Sequence, residues 1–110
     1  MEPGRTDRDR RENWCNAATG KMRPLEQEPL WWAFRISVQK VGRALDVDNV
    51  AKTIIDAFCA RQIAREGSSH TQLGLYPDDT FDYVRFLQVA GGRGAADCTT
   101  IEIFACVDEL

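Results

Sequence analysis

Between Trp31 and Lys40 the chain alternates. Trp32, Phe34, Ile36 and Val38 fall on one face, and Ala33, Arg35, Ser37 and Gln39 fall on the other. A period of two over this length predicts a β-strand with one buried side. Gly42 then allows a turn, and the period changes. Val47, Val50, Ala51, Ile54, Ile55 and Phe58 recur at three- and four-residue steps, which predicts a helix over 47–65 with one apolar stripe. A half-buried strand followed at once by a one-sided helix needs a layered fold to cover both surfaces, so the class expected is α+β.

The remaining segments are placed around that pair. The first dozen residues alternate Arg with Asp and Glu, and read as a frayed start to a short helix over 7–19 that contains Trp14. Gly20 stops that helix, and Pro24 and Pro29 punctuate the connection that follows. Gly67, Ser68 and Ser69 end the long helix, and the loop from there to Pro77 is longer than most connections in a small domain. Strands are predicted over 80–89 and 99–107, the second with Ile101, Ile103, Ala105 and Val107 on one face. Gly91, Gly92, Arg93 and Gly94 read as the start of a flexible hairpin loop between them. The expected order is α-β-α-β-β, in a two-layer sandwich whose mainly antiparallel sheet carries one long helix. A chain of 110 residues suits a single domain, with residues 1–30 as an arm and 31–107 as the core.

Composition removes several classes of function. Cys15, Cys59, Cys98 and Cys106 form no Cys-x-x-Cys pair, and the single His70 is remote from all four, so a zinc site has no support. No leader-like apolar run opens the chain, so a cytoplasmic protein with reduced, buried or inert thiols is expected. No apolar stretch approaches membrane-spanning length. The net charge of −3 argues mildly against nucleic acid. Its sign would nevertheless reverse locally if divalent cations bound the acidic segments. Arg35, Lys40, Arg43 and Lys52 stand close in sequence to the first of these segments and are candidates for phosphate contacts, as is Arg93 further on. His70 reads as a solvated loop residue, and the aromatic residues of the 31–40 strand as core or dimer contacts.

The first acidic segment is Asp46-Val47-Asp48-Asn49, and the second is Asp78–Asp79 after Pro77. Two carboxylates crowded at a helix entrance repel each other unless a cation lies between them. Mg²⁺ selects hard oxygen donors of this kind. Lys52 lies one helical turn after Asp48, and Asp56 one turn after Lys52, which continues a polar face beside the apolar stripe. A lysine there suits a phosphate or the charge of a phosphoryl transition state. Each feature also has an ordinary explanation: Asp caps helix starts, Lys52 between two acids makes a surface ion pair, and Asp–Asp after Pro is common turn chemistry. A calcium loop is excluded, because Val50, Ala51 and Ala57 occupy positions its pattern reserves for Asp or Asn, Gly and Glu.

The run Ala44-Leu-Asp-Val-Asp-Asn-Val-Ala-Lys-Thr-Ile-Ile-Asp-Ala-Phe58, with Leu75-Tyr-Pro-Asp-Asp-Thr-Phe-Asp-Tyr-Val84 after it, resembles the RusA family of Holliday-junction resolvases. Asp46, Asp48, Asn49, Lys52, Asp56 and Ala57 fit the family's D-x-D-N-x-x-K-x-x-x-D-A pattern, and Asp78–Asp79 fits its later acidic pair. The resemblance covers about two-thirds of the chain. It implies that Asp46, Asp48 and Asp79 bind Mg²⁺, with Mn²⁺ as a possible substitute, and that Lys52 is the catalytic lysine. It further implies a homodimer that cuts four-way DNA junctions symmetrically, without membrane or small-molecule cofactor. Asp56 enters as a supporting residue, and Lys40, Arg43 and Arg93 as DNA contacts. Three departures accompany the match: the family's N-terminal strand is not recognisable, the connection to Asp78–Asp79 is longer, and the basic stretch before Asp46 is reduced to Lys40 and Arg43. The alternative expectation is therefore a non-cleaving relative that binds branched DNA or a protein partner.

Overall fold

The computed structural model describes residues 7–43 and 46–109, so the frayed start expected for residues 1–6 lies outside the described residues. The elements are α1 (Asp7–Ala18), β1 (Trp31–Lys40), α2 (Val47–Ala57), α3 (Ala60–Glu66), a 3₁₀ turn (Thr71–Leu73), β2 (Val84–Arg93) and β3 (Cys98–Cys106). The class is α+β, as the two periodicities require. Two units are distinguished: one holds α1 and the segment Lys52–Asp79, the other Gln27–Ala51 and the chain from Thr80 onward. No helix among the described residues is long and apolar enough to cross a membrane.

The second unit is built on β1, whose bounds match the alternating stretch. Trp32, Phe34, Ile36 and Val38 are buried, as is Ala33 on the opposite face. The sheet order is β2-β1-β3. β1 pairs antiparallel with β3, with Phe34 opposite Ile103, and parallel with β2, with Phe34 opposite Leu87. The expectation of a mainly antiparallel sheet is thus corrected to a mixed one. A parallel neighbour needs a long crossover, and the helical segment between β1 and β2 supplies it. β2 also starts and ends later than expected. Thr80–Tyr83 form a turn in which the Tyr83 and Val84 amides donate to the Thr80 carbonyl, while Gly91, Gly92 and Arg93 belong to the strand. These glycines pair with Val38 and Gln39 rather than forming a hairpin loop.

Residues 94–97 link β2 to β3 and close over the end of β1. The Gly94 amide donates to the Lys40 carbonyl, Lys40 Nζ lies 3.0 Å from Asp97 Oδ2, and the Val41 amide donates to Asp97 Oδ1 at 2.9 Å. That amide bond, with help from Lys40, holds the Asp97 carboxyl below the usual carboxylate range. A lowered value means the contribution is present at neutral pH and lost as pH falls through the folded pKa. The Val41 amide resonance is therefore expected to titrate with a midpoint below the ~3.9 of an unperturbed Asp. Asp97→Asn should abolish that titration.

In the first unit, the helix expected over 47–65 is two helices. The Phe58 and Cys59 amides tighten onto the Ile55 and Asp56 carbonyls, and Cys59 turns extended (φ −87°, ψ 121°). It forms a β-bridge with Tyr76, while the Leu75 amide donates to the Phe58 carbonyl and the Ala60 amide to the Tyr76 carbonyl. Backbone pairing with a distant segment therefore interrupts a run with good helix propensity. α3 ends at Gly67 in the left-handed conformation (φ 66°), where glycine carries no Cβ penalty. Phe58, Ile54, Ala57, Cys15, Ile63, Leu73 and Tyr76 are buried here.

The connection after α3 is fastened to α1. Arg11 pairs with Glu66 at 2.5 Å, Ser68 Oγ donates to Glu12 at 2.9 Å, and His70 Nε2 lies 2.8 Å from Asn16 Oδ1 and 3.2 Å from Glu12. His70 is thus an anchor of this segment, not a solvated loop residue. The four thiols also divide. Cys15 donates to the Ala57 carbonyl, and burial, reinforced by Glu12 and Glu66, pushes its pKa up to about 11. Cys59 is buried as well, whereas Cys98 is exposed. Brief alkylation of native protein should label Cys98 first and leave Cys15 and Cys59 unmodified until unfolding, as read by peptide mass mapping.

Candidate functional site

Three of the polar residues singled out by spacing meet in the first unit. Lys52 and Asp56, one turn apart on α2, place Nζ 3.3 Å from Asp56 Oδ2. Asp79 brings its Oδ2 to 3.8 Å from the same ammonium. The two carboxyls are also close enough to influence each other's protonation. Their environments differ: the Asp56 side chain is 14% exposed and the Asp79 side chain 37%, while Lys52 is 69% exposed. Burial and the neighbouring Asp79 push Asp56 above the usual carboxylate range, against the pull of Lys52. The neighbouring Asp56 and the Lys52 charge hold Asp79 below it. Asp56 is therefore the first of the pair to take up a proton as pH falls, and Asp79 the last.

Asp79 arrives there because the chain leading to it is tied to the end of α2. Tyr76 is buried, and its hydroxyl donates to the Ile55 carbonyl at 2.5 Å. Cys59 Sγ lies 3.7 Å from the Pro77 carbonyl oxygen. Asp78 then turns the chain, accepting the Asp79 amide at 3.0 Å and pairing with Arg61 at 3.3 Å. Asp78 is spent on the turn, and Asp79 is left for the cluster.

Asp46 and Asp48 belong to the second unit, at the first turn of α2. The Asp46 carbonyl accepts the Val50 amide, which starts the helix, and both acids are exposed. Carboxylates at this end are favoured by the helix dipole. Among the described residues, no group of three or more His, Cys, Asp or Glu is gathered as a ready-made metal cage.

The basic candidates separate. Lys40 and Arg93 line a cavity with Val38, Val47, Val50, Gly91 and Gly92 in the second unit. Lys40 is held by Asp97, and Arg93 donates to the Val41 and Gly42 carbonyls, so Arg93 is a fixed strand-end residue and not part of a flexible hairpin. Arg43 is exposed in the bend that follows β1. Sequence reasoning missed the weight of Asp56 and Tyr76. The signal for Asp56 was its four-residue step from Lys52; nothing local marked Tyr76. The chain combines an α+β fold with a carboxylate–lysine cluster on its central helix. It has no significant match among protein-family models, curated proteins or solved structures.

Proposed function

We propose that the chain is a Mg²⁺-dependent endonuclease of the RusA type, which cuts branched DNA as a homodimer in the cytoplasm. The observation that carries this reading is the meeting of Asp79 with Lys52, a residue one helical turn from Asp48 on α2. The donors fit the metal: Asp46, Asp48 and Asp79 offer hard anionic oxygens, and all three retain solvent access. Bound there, Mg²⁺ supplies the charge that activates water and stabilises the departing oxygen. Lys52, largely in solvent, meets a non-bridging phosphate oxygen and offsets the charge that develops on the phosphoryl group. A dimer supplies two such sites, which symmetric cutting of a four-way junction requires. Lys40, Arg43 and Arg93 are assigned to the DNA backbone.

The test is a synthetic four-way junction with labelled arms. Paired, symmetric nicks are expected with Mg²⁺ or Mn²⁺, none after chelation, and none on the matching linear duplex. No cleavage with either ion across a wide range of concentration would end the nuclease reading. A second reading draws on the outer face of the sheet, where Phe86 (56% exposed) and Phe104 (41%) flank Ala33. That apolar row suits a protein partner, and a non-cleaving member would bind its target identically with and without metal.

A further inference from the structure

Two features of the cluster around Lys52 call for an explanation beyond a pair of surface charges. Lys52 has two anionic oxygens in reach, and the nearer belongs to Asp56, at 3.3 Å against 3.8 Å for Asp79. Asp56 is also the least exposed of the three side chains, at 14%, and follows Lys52 by one turn of the same helix. A residue so placed cannot reach outward for a ligand as Asp79 can. It can decide where its two neighbours point.

We infer that Asp56 is a positioning residue: by holding the Lys52 ammonium it leaves the Asp79 carboxylate available to a divalent cation and keeps Lys52 on the phosphate side. This deepens the nuclease reading and rests on it. Without the Asp56 oxygen, the one other carboxylate within 4 Å of the Lys52 ammonium among the described residues is Asp79. The ammonium then closes onto Asp79 and competes with the cation for the same oxygen. Outer partners of metal ligands commonly act in this way, by fixing which lone pair faces the ion.

A double-mutant cycle on Mn²⁺ affinity, measured by calorimetry on the full chain, separates this role from simple support of the fold. Asp56→Asn should weaken Mn²⁺ binding by about tenfold. Lys52→Gln in the parent should change it by no more than about twofold, because Asp56 already occupies the ammonium. Adding Lys52→Gln to Asp56→Asn should restore most of the lost affinity, since the competitor has been removed. If Asp56→Asn does not fold, Asp56→Ser takes its place in the cycle. Additive effects, or unchanged affinity in Asp56→Asn, would overturn the inference and leave the nuclease reading intact. A parent chain that binds no Mn²⁺ and cuts no junction would remove the nuclease reading, and this inference with it.

Discussion

Asp48→Asn is expected to bind a four-way junction as tightly as the parent chain and to cut it at least ~100-fold more slowly. The magnitude follows from comparison: losing an outer partner of a metal ligand costs about 10–100-fold, and losing the ligand itself should cost no less. Asn keeps the size and shape of Asp and removes only the charge. Asp48 is exposed in the first turn of α2, so no buried partner is orphaned and stability should hold. Binding is driven by cations meeting phosphates, and removing an acid does not weaken that attraction. Gel shift in Ca²⁺ and single-turnover cleavage in Mg²⁺, run on the same preparations, separate the two effects. Cleavage at the parental rate would remove Asp48 from the chemistry.

The second large effect concerns the core that carries the helix entrance. Phe34 is fully buried at the centre of β1, the strand hydrogen-bonded on both sides, with Leu87 and Ile103 beside it in register. Phe34→Ala deletes the ring and leaves a cavity between strands that cannot close together without breaking two ladders. The expected loss is about 3–5 kcal/mol. For a domain whose whole stability is about 5–15 kcal/mol, the variant should be partly or wholly unfolded at 37 °C. Phe104→Ala is the control: its ring is 41% exposed and lies 5.6 Å from the Arg35 guanidinium, so the cost should stay within about 1 kcal/mol. Urea unfolding followed by tryptophan fluorescence gives both values. Equal midpoints for the two variants would contradict this placement of the core.

The same two segments show how far the sequence could be read. β1 was legible to its end residues because alternation over ten positions has no helical counterpart, and α1 because Gly20, at φ 77°, is a local stop. The break between α2 and α3 was not legible. It arises from backbone bonds between Phe58–Ala60 and Leu75–Tyr76, and no periodicity within 47–65 encodes a partner that arrives later in the chain. The parallel pairing of β2 was hidden for a similar reason. Gly91 and Gly92 look like a hairpin turn in isolation, yet they lie in register with Val38 and Gln39. Within the candidate site, the four-residue steps from Asp48 to Lys52 to Asp56 could be read directly. The arrival of Asp79 could not, because it depends on Tyr76 being clamped to the Ile55 carbonyl. Asp56, expected as a supporting residue on the polar face of the helix, is largely covered and paired with Lys52.

The central claim is that Asp46, Asp48 and Asp79 share one divalent cation. Anomalous scattering from crystals soaked in Mn²⁺ locates that ion directly. The account predicts a peak within about 2.0–2.6 Å of carboxylate oxygens from all three residues, lost in crystals of Asp79→Asn. A map with no peak near these residues at saturating Mn²⁺, or a peak unaffected by Asp79→Asn, would contradict it.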